Sequence, residues 1–121
     1  MSMKPTILYV DDEPINLKLF EINLKKQYEV ITALDAFKGL EKLEQVEDIT
    51  AVVSDMKMPL MNGIEFITKA KEKYDSKKFF MLSGFEPTPE IEKAIESGLI
   101  LKYFRKPFDI DEIRSALEEA I

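Results

Sequence analysis

Five short apolar runs, each followed by a longer stretch with helical spacing, constrain this chain more than any single motif does. Thr6-Ile7-Leu8-Tyr9-Val10 is β-branched and aromatic and stops at Asp11-Asp12-Glu13-Pro14, which predicts a buried strand and then a turn. Pro14 suits a first helical turn, where its missing N–H would be unpaired anyway. The helix it opens carries Ile15, Leu19 and Ile22 as one stripe, with Phe20 and Leu24 beside it. Residues 28–33 read as a second strand. Asp35 is positioned to cap a second helix with Phe37, Leu40 and Leu43 at helical spacing.

The pattern repeats three more times. Residues 49–54 form a third strand, residues 55–63 a loop with Pro59 and Asn62-Gly63, and residues 64–74 a third helix. Phe79 to Leu82 is a fourth strand stopped by Ser83-Gly84. Thr88-Pro89 then caps and opens a helix that Gly98 ends. Leu99 to Phe104 reads as a fifth strand, broken by Lys106-Pro107, and residues 109–121 as a last helix with Ile113 and Leu117 inward.

Apolar strands alternating with helices imply an α/β fold, a parallel sheet covered on both faces. Right-handed crossovers make this (βα)5 chain an open, doubly wound sheet. An eight-stranded barrel would need about twice the length. The 121 residues fit one domain spanning 1–121, with no repeat or linker.

In such sheets ligands bind at the carboxyl ends of the strands. Asp11 and Asp12 follow the first strand, Asp55 the third, Ser83 the fourth and Lys106 the fifth. Three unpaired carboxylates at one edge repel one another, and a divalent cation relieves that repulsion. The chain has no Cys and no His, so thiolate and imidazole ligands or nucleophiles are excluded. The cation must be hard and oxygen-held, and Mg²⁺ fits. With Lys106 as a counter-charge and Ser83 as a hydrogen-bond donor, the edge suits phosphoryl transfer to the Asp55 carboxylate. Asp11 and Asp12 have a plainer reading as acids at a helix N-terminus, and Asp55 as a turn residue.

At this point the chain resembles a known family, the bacterial two-component response regulator receiver domain of the chemotaxis-regulator type. The resemblance rests on Ile7 to Pro14, Val53 to Gly63 (Val-Ser-Asp-Met-Lys-Met-Pro-Leu-Met-Asn-Gly), Ser83-Gly84, and Tyr103 to Phe108, in that order and each after the right strand. It implies a flavodoxin-like sheet with strand order 2-1-3-4-5 and Asp55 as phosphoacceptor. It also implies Mg²⁺ on Asp12, Asp55 and the Lys57 backbone carbonyl, with Asp11 acting mainly through a metal-bound water. Lys106 would contact the phosphoryl group and join Pro107 through a cis peptide. Ser83 and Tyr103 match the switch positions, while Pro59, Gly63 and Pro107 shape the turns. Lys57 and Phe85 stand at positions that vary in the family and should overhang the phosphoryl site.

The implied role is a signalling switch rather than an enzyme acting on another substrate. Its phosphodonor would be a histidine kinase or histidine phosphotransfer protein, and its output surface the last two helices with the fifth strand. Since the last helix runs to Ile121, a stand-alone receiver is expected, either monomeric or dimerising on phosphorylation, with Lys102 and Arg114 able to pair across a dimer. Net charge is −6, and the output half is acidic, which argues against a nucleic-acid partner. No apolar run approaches the roughly 20 residues that span a bilayer, so a cytoplasmic location is expected. Two rivals are a pseudo-receiver that is never phosphorylated and a small phosphate- or flavin-binding protein. The first is opposed by the intact Asp12, Asp55, Ser83 and Lys106 set. The second needs a Gly/Ser/Thr-rich first loop where this chain has Asp11-Asp12-Glu13.

Overall fold

All five residues of the first strand, β1 (Thr6–Val10), are buried, because it lies in the middle of the sheet with helices on both faces. The computed structural model describes residues 4–107 and 109–121. Phe108, the last residue of the resembling segments, lies outside them. Strands β2 (Glu29–Ala33), β3 (Ile49–Ser54), β4 (Lys78–Ser83) and β5 (Tyr103–Arg105) complete a sheet of order β2-β1-β3-β4-β5, in which every pairing is parallel. The helices α1 (Pro14–Leu24), α2 (Ala36–Gln45), α3 (Gly63–Lys73), α4 (Pro89–Glu96) and α5 (Ile110–Ala120) alternate with the strands. The doubly wound fold and its strand order are as expected.

Strand alternation divides the core in two. Leu8, Val10, Val52, Phe79 and Met81 face α2, α3 and α4. Ile7, Tyr9, Ala51, Val53, Phe80 and Leu82 face α1 and α5.

Helix α1 corrects the sequence reading. Ile15, Leu19 and Ile22 form a stripe, but it faces solvent, with exposures of 73%, 44% and 53%. Leu17, Phe20 and Leu24 face the sheet, and Phe20 stacks on Tyr9 with ring centroids 4.2 Å apart. The helix is apolar on two opposite faces, so spacing alone cannot say which turns inward. Phe37 is likewise half-exposed, and α2 buries Ala36, Gly39 and Leu43 instead. A Cβ on Gly39 would stand 3.0 Å from the Phe66 ring and from Val10, so a larger residue there would displace the core.

The fifth strand is also shorter than expected. Leu99 to Leu101 form a connection rather than a strand: the Ile100 N–H donates to the Ala94 carbonyl at 3.2 Å, and Leu101 donates to Phe79 at 2.8 Å. Ile100 is buried by folding back on α4, which uses its hydrophobicity without strand geometry. The caps at Asp35 and Thr88 are present as expected. Arg114 pairs with Asp111 of its own helix at 3.0 Å.

Candidate functional site

Three backbone hydrogen bonds carry the parallel pairing one residue past the strand ends. Asp11 N–H donates to the Ala33 carbonyl (3.1 Å), Asp55 N–H to Val10 (2.9 Å) and Lys106 N–H to Ser83 (2.9 Å). The chemistry-bearing residues are thus extensions of the sheet, held by ladder bonds rather than by free loops. One carboxylate oxygen from each of Asp11, Asp12 and Asp55 lies within 4.8 Å of the others.

The Lys106 ammonium sits between two of them, 2.8 Å from Asp11 Oδ2 and 3.3 Å from Asp55 Oδ2. Asp11 is fully buried and held from three sides: by Lys106, by the Tyr9 hydroxyl (2.5 Å) and by the Glu13 N–H (3.0 Å). Asp12 is exposed, and Asp55 is 5% exposed.

These surroundings move the proton affinities. Burial and then the charge of Asp11 push the Asp55 carboxyl up to about 6, even though Lys106 opposes the rise. For Lys106, burial would lower the ammonium, but its hydrogen bond to Asp11 and the charges of both carboxylates outweigh it and raise the group. Burial and the neighbouring Asp11 also raise the Tyr9 phenol, which stays protonated and donates. One ammonium among three carboxylates leaves a deficit of positive charge, and a hard divalent cation fits it. Carboxylate oxygens of Asp11, Asp12 and Asp55 that lie this close together can share such an ion, directly or through its waters.

The pocket above Asp55 also includes Lys57, Pro59 and Phe85 in its lining. Pro59 precedes Leu60, whose φ of 70° and exposed side chain mark a tight outward turn. Gly63 lies beneath the site and donates its N–H to the Met56 carbonyl at 2.8 Å. The Lys106–Pro107 peptide is cis. Ser83 is buried at the end of β4. Tyr103 is not brought to the carboxylates: its hydroxyl donates to the Phe85 carbonyl in the loop after β4. Tyr9 is the site residue that sequence reading missed. Its signal was its position two residues before Asp11, on the same side of an extended strand.

Residues 7–118 match the model of the response regulator receiver domain. The chain belongs to the response regulator receiver family. As a receiver it is 33% identical to sporulation initiation phosphotransferase F of Bacillus subtilis, over 97% of this chain and 94% of that one. Its fold superposes with a TM-score of 0.89 on the signal receiver domain of an HD domain-containing protein from Pseudomonas fluorescens, at 31% identity over 97% of this chain and 94% of the other. The response regulator TrrA of Thermotoga maritima, solved with Mg²⁺ and BeF, matches with a TM-score of 0.84 and 27% identity over 98% of this receiver and all of that chain. Other relatives are much longer: the receiver spans 25% of the hydrogenase transcriptional regulatory protein HoxA of Bradyrhizobium diazoefficiens. Membership makes this chain a phosphorylatable signalling switch of the two-component kind, and disfavours the pseudo-receiver. Among the described residues, no helix is long and apolar enough to cross a membrane.

Proposed function

We propose that Asp55 is the phosphoacceptor and that the cluster around it is a Mg²⁺-dependent phosphotransfer site. The observation that supports this best is the Lys106 ammonium bridging Asp11 and Asp55 at the floor of an open, acid-lined pocket. Asp12, Asp55 and the Lys57 carbonyl would hold the ion directly, and Asp11 through water. The ion supplies charge neutralisation for the phosphoryl oxygens.

An Asp55 carboxylate oxygen attacks the phosphorus of a phosphohistidine on the donor. A P–O bond forms, the P–N bond breaks, and the electron pair returns to the imidazole. Lys106 turns from its two carboxylates to a phosphoryl oxygen, and Ser83 donates a hydrogen bond to another. Tyr103 then leaves the Phe85 carbonyl, altering the face formed by α4, β5 and α5. That face is acidic, with Glu90, Glu92, Glu96, Glu118 and Glu119, so its partner is a protein and not a nucleic acid. The chain acts on its own carboxylate and on no other substrate, in the cytoplasm, where a histidine kinase has its ATP.

Incubation with Mg²⁺ and acetyl phosphate is expected to place an acid-stable, hydroxylamine-sensitive phosphate on the peptide containing Asp55. Asp55→Ala should abolish it. Labelling elsewhere, or none in the parent chain, would remove Asp55 from this role.

The donor's identity is supported by the outward stripe of α1. Ile15 follows Asp12 and Glu13, which line the pocket, so the stripe runs directly from its mouth. A donor covering Ile15, Leu19 and Ile22 would hold its phosphohistidine over Asp55. Ile15→Glu should therefore lower the rate of transfer from a phosphohistidine donor at least tenfold relative to labelling by acetyl phosphate. An unchanged ratio would place the donor elsewhere.

A further inference from the structure

The sheet ends at β2, and a groove with a basic lining runs along the open side of that strand. Glu29 donates its N–H to the Pro5 carbonyl at 2.9 Å, and the Ala33 carbonyl accepts from Asp11 at 3.1 Å. Bonding to one neighbour alternates along a parallel strand, so Glu29, Ile31 and Ala33 turn to β1. Val30 and Thr32 therefore turn their N–H and carbonyl groups to the outer edge, where both residues are only partly covered.

Helices α1 and α2 pack on opposite faces of the sheet, so the groove between them wraps around this edge. Its upper part, about 390 Å³, has an apolar lining of Leu17, Ala33 and Leu34, with Lys18, Lys38 and Lys42 around it. Its lower part, about 530 Å³, reaches Val30 and is bordered by Lys4, Lys25 and Lys26. Six lysines thus stand against Glu21 and Glu29, in a chain whose net charge is −6. Among the described residues none of the six belongs to an ion pair. Lys4 donates to the Lys25 carbonyl at 3.0 Å and keeps its charge.

We propose that this edge docks an extended, acidic segment of a partner protein, which adds to β2 as a sixth strand. Val30 and Thr32 supply the main-chain hydrogen bonds, and the lysines select carboxylate side chains along the added strand. Lysines at a sheet edge also guard it against a second copy of the same chain. Two β2 edges brought together would set six ammonium groups against six, whereas an acidic strand meets opposite charge. The same residues thus refuse the chain itself and accept the partner. A nucleic acid would engage the lysines but leave the free backbone groups and the apolar lining unused. β5 lies at the other edge of the sheet, so a segment held on β2 leaves the face formed by α4, β5 and α5 open. The site stands apart from Asp55 and does not depend on its role.

The probe is an end-blocked nonapeptide alternating glutamate and valine, titrated at low salt into the isotope-labelled full chain and followed by amide NMR. Saturable shifts are expected at Val30, Thr32 and their neighbours, with a Kd below about 1 mM. Exchange of the Val30 and Thr32 amides with solvent should slow roughly tenfold. A lysine–valine peptide of the same length should not bind. Raising the salt from about 0.05 to about 0.3 M should weaken binding roughly fivefold. Lys38→Glu with Lys42→Glu should weaken it roughly tenfold. Thr32→Pro removes one outward N–H, a change an edge strand tolerates, and should weaken binding roughly tenfold with every lysine in place. Dispersed spectra show which variants are folded, and the lysine variant decides alone if the proline one is not. Absence of saturable shifts, or shifts confined to the Asp55 pocket or to α4 and α5, would overturn the site. A single-stranded oligonucleotide of equal charge that binds more tightly, untouched by Thr32→Pro, would replace the peptide with a nucleic acid. Protection of Val30 and Thr32 that grows with chain concentration alone would make the edge an interface between copies, and would also sink the proposal.

Discussion

Gly63→Ala is expected to destabilise the fold by about 3 kcal/mol, the upper part of the range for overpacking a site that cannot relax. A Cβ at this position would lie 2.3 Å from the Asp55 carbonyl oxygen, 2.8 Å from Met81 Cε and 3.0 Å from Met56 Cα. The Met81 methyl group can swing aside, but the two backbone atoms cannot. The backbone conformation itself does not demand glycine here; closeness of approach does. Two further constraints keep the segment from backing away: the Gly63 N–H is bonded to the Met56 carbonyl, and Asn62 with Glu65 forms a reciprocal cap on α3 at 2.9 and 3.0 Å. Relief would move Asp55, so the variant should also label more slowly with acetyl phosphate at a temperature where it is still folded. Denaturant unfolding measures the first effect. A midpoint within a few tenths of a kcal/mol of the parent would show that the turn yields freely.

Asp55→Asn should act in the opposite direction, stabilising the metal-free chain above pH 6 by roughly 2–3 kcal/mol, from about 1.4 kcal/mol per pKa unit. The folded carboxyl titrates near 6 because burial and Asp11 disfavour its charge, while the ordinary value is 3.8. Between those values the folded state holds a proton that the unfolded state has released. Stability from this group is complete below about pH 4 and is lost as pH rises through 6. Asparagine cannot ionise, and its amide oxygen can keep the Lys106 contact. The gap between the two proteins in chelator should therefore be small at pH 4, open between pH 4 and 6, and stay level above. Saturating Mg²⁺ should narrow it at pH 8, since only the carboxylate gains an ion. Parallel stability curves across this pH range would refute the argument.

The site was readable where strand ends dictate it. Asp11, Asp12, Asp55, Ser83 and Lys106 each follow an apolar run whose strand character was plain, and parallel topology then allowed one meeting place. Side-chain direction was less readable. For α1, Leu17, Phe20 and Leu24 are as regularly spaced as Ile15, Leu19 and Ile22, and only the stacking of Phe20 on Tyr9 decides between them. Leu99 to Leu101 had strand composition, but Ile100 satisfies its hydrophobicity by turning under α4. The holds on the loop after β4 were not legible at all. Arg105 with Glu86 and Tyr103 with Phe85 are pairs separated by 19 and 18 residues, and nothing in local pattern announces them.

The brevity of β5 gives the molecule its mechanical asymmetry. β1 and β3 are central and bonded on both sides, so displacing Asp11 or Asp55 means tearing the middle of the sheet. β5 is three residues long and bonded along one edge. Shifting it costs a small part of the global unfolding energy, because locally sparse edges open far more cheaply than the interior. The anvil and the lever are therefore built into one sheet. If Asp55 is the phosphoacceptor, a phosphoryl group there that cannot deform the centre still has leverage at the rim, along the strand that resists least.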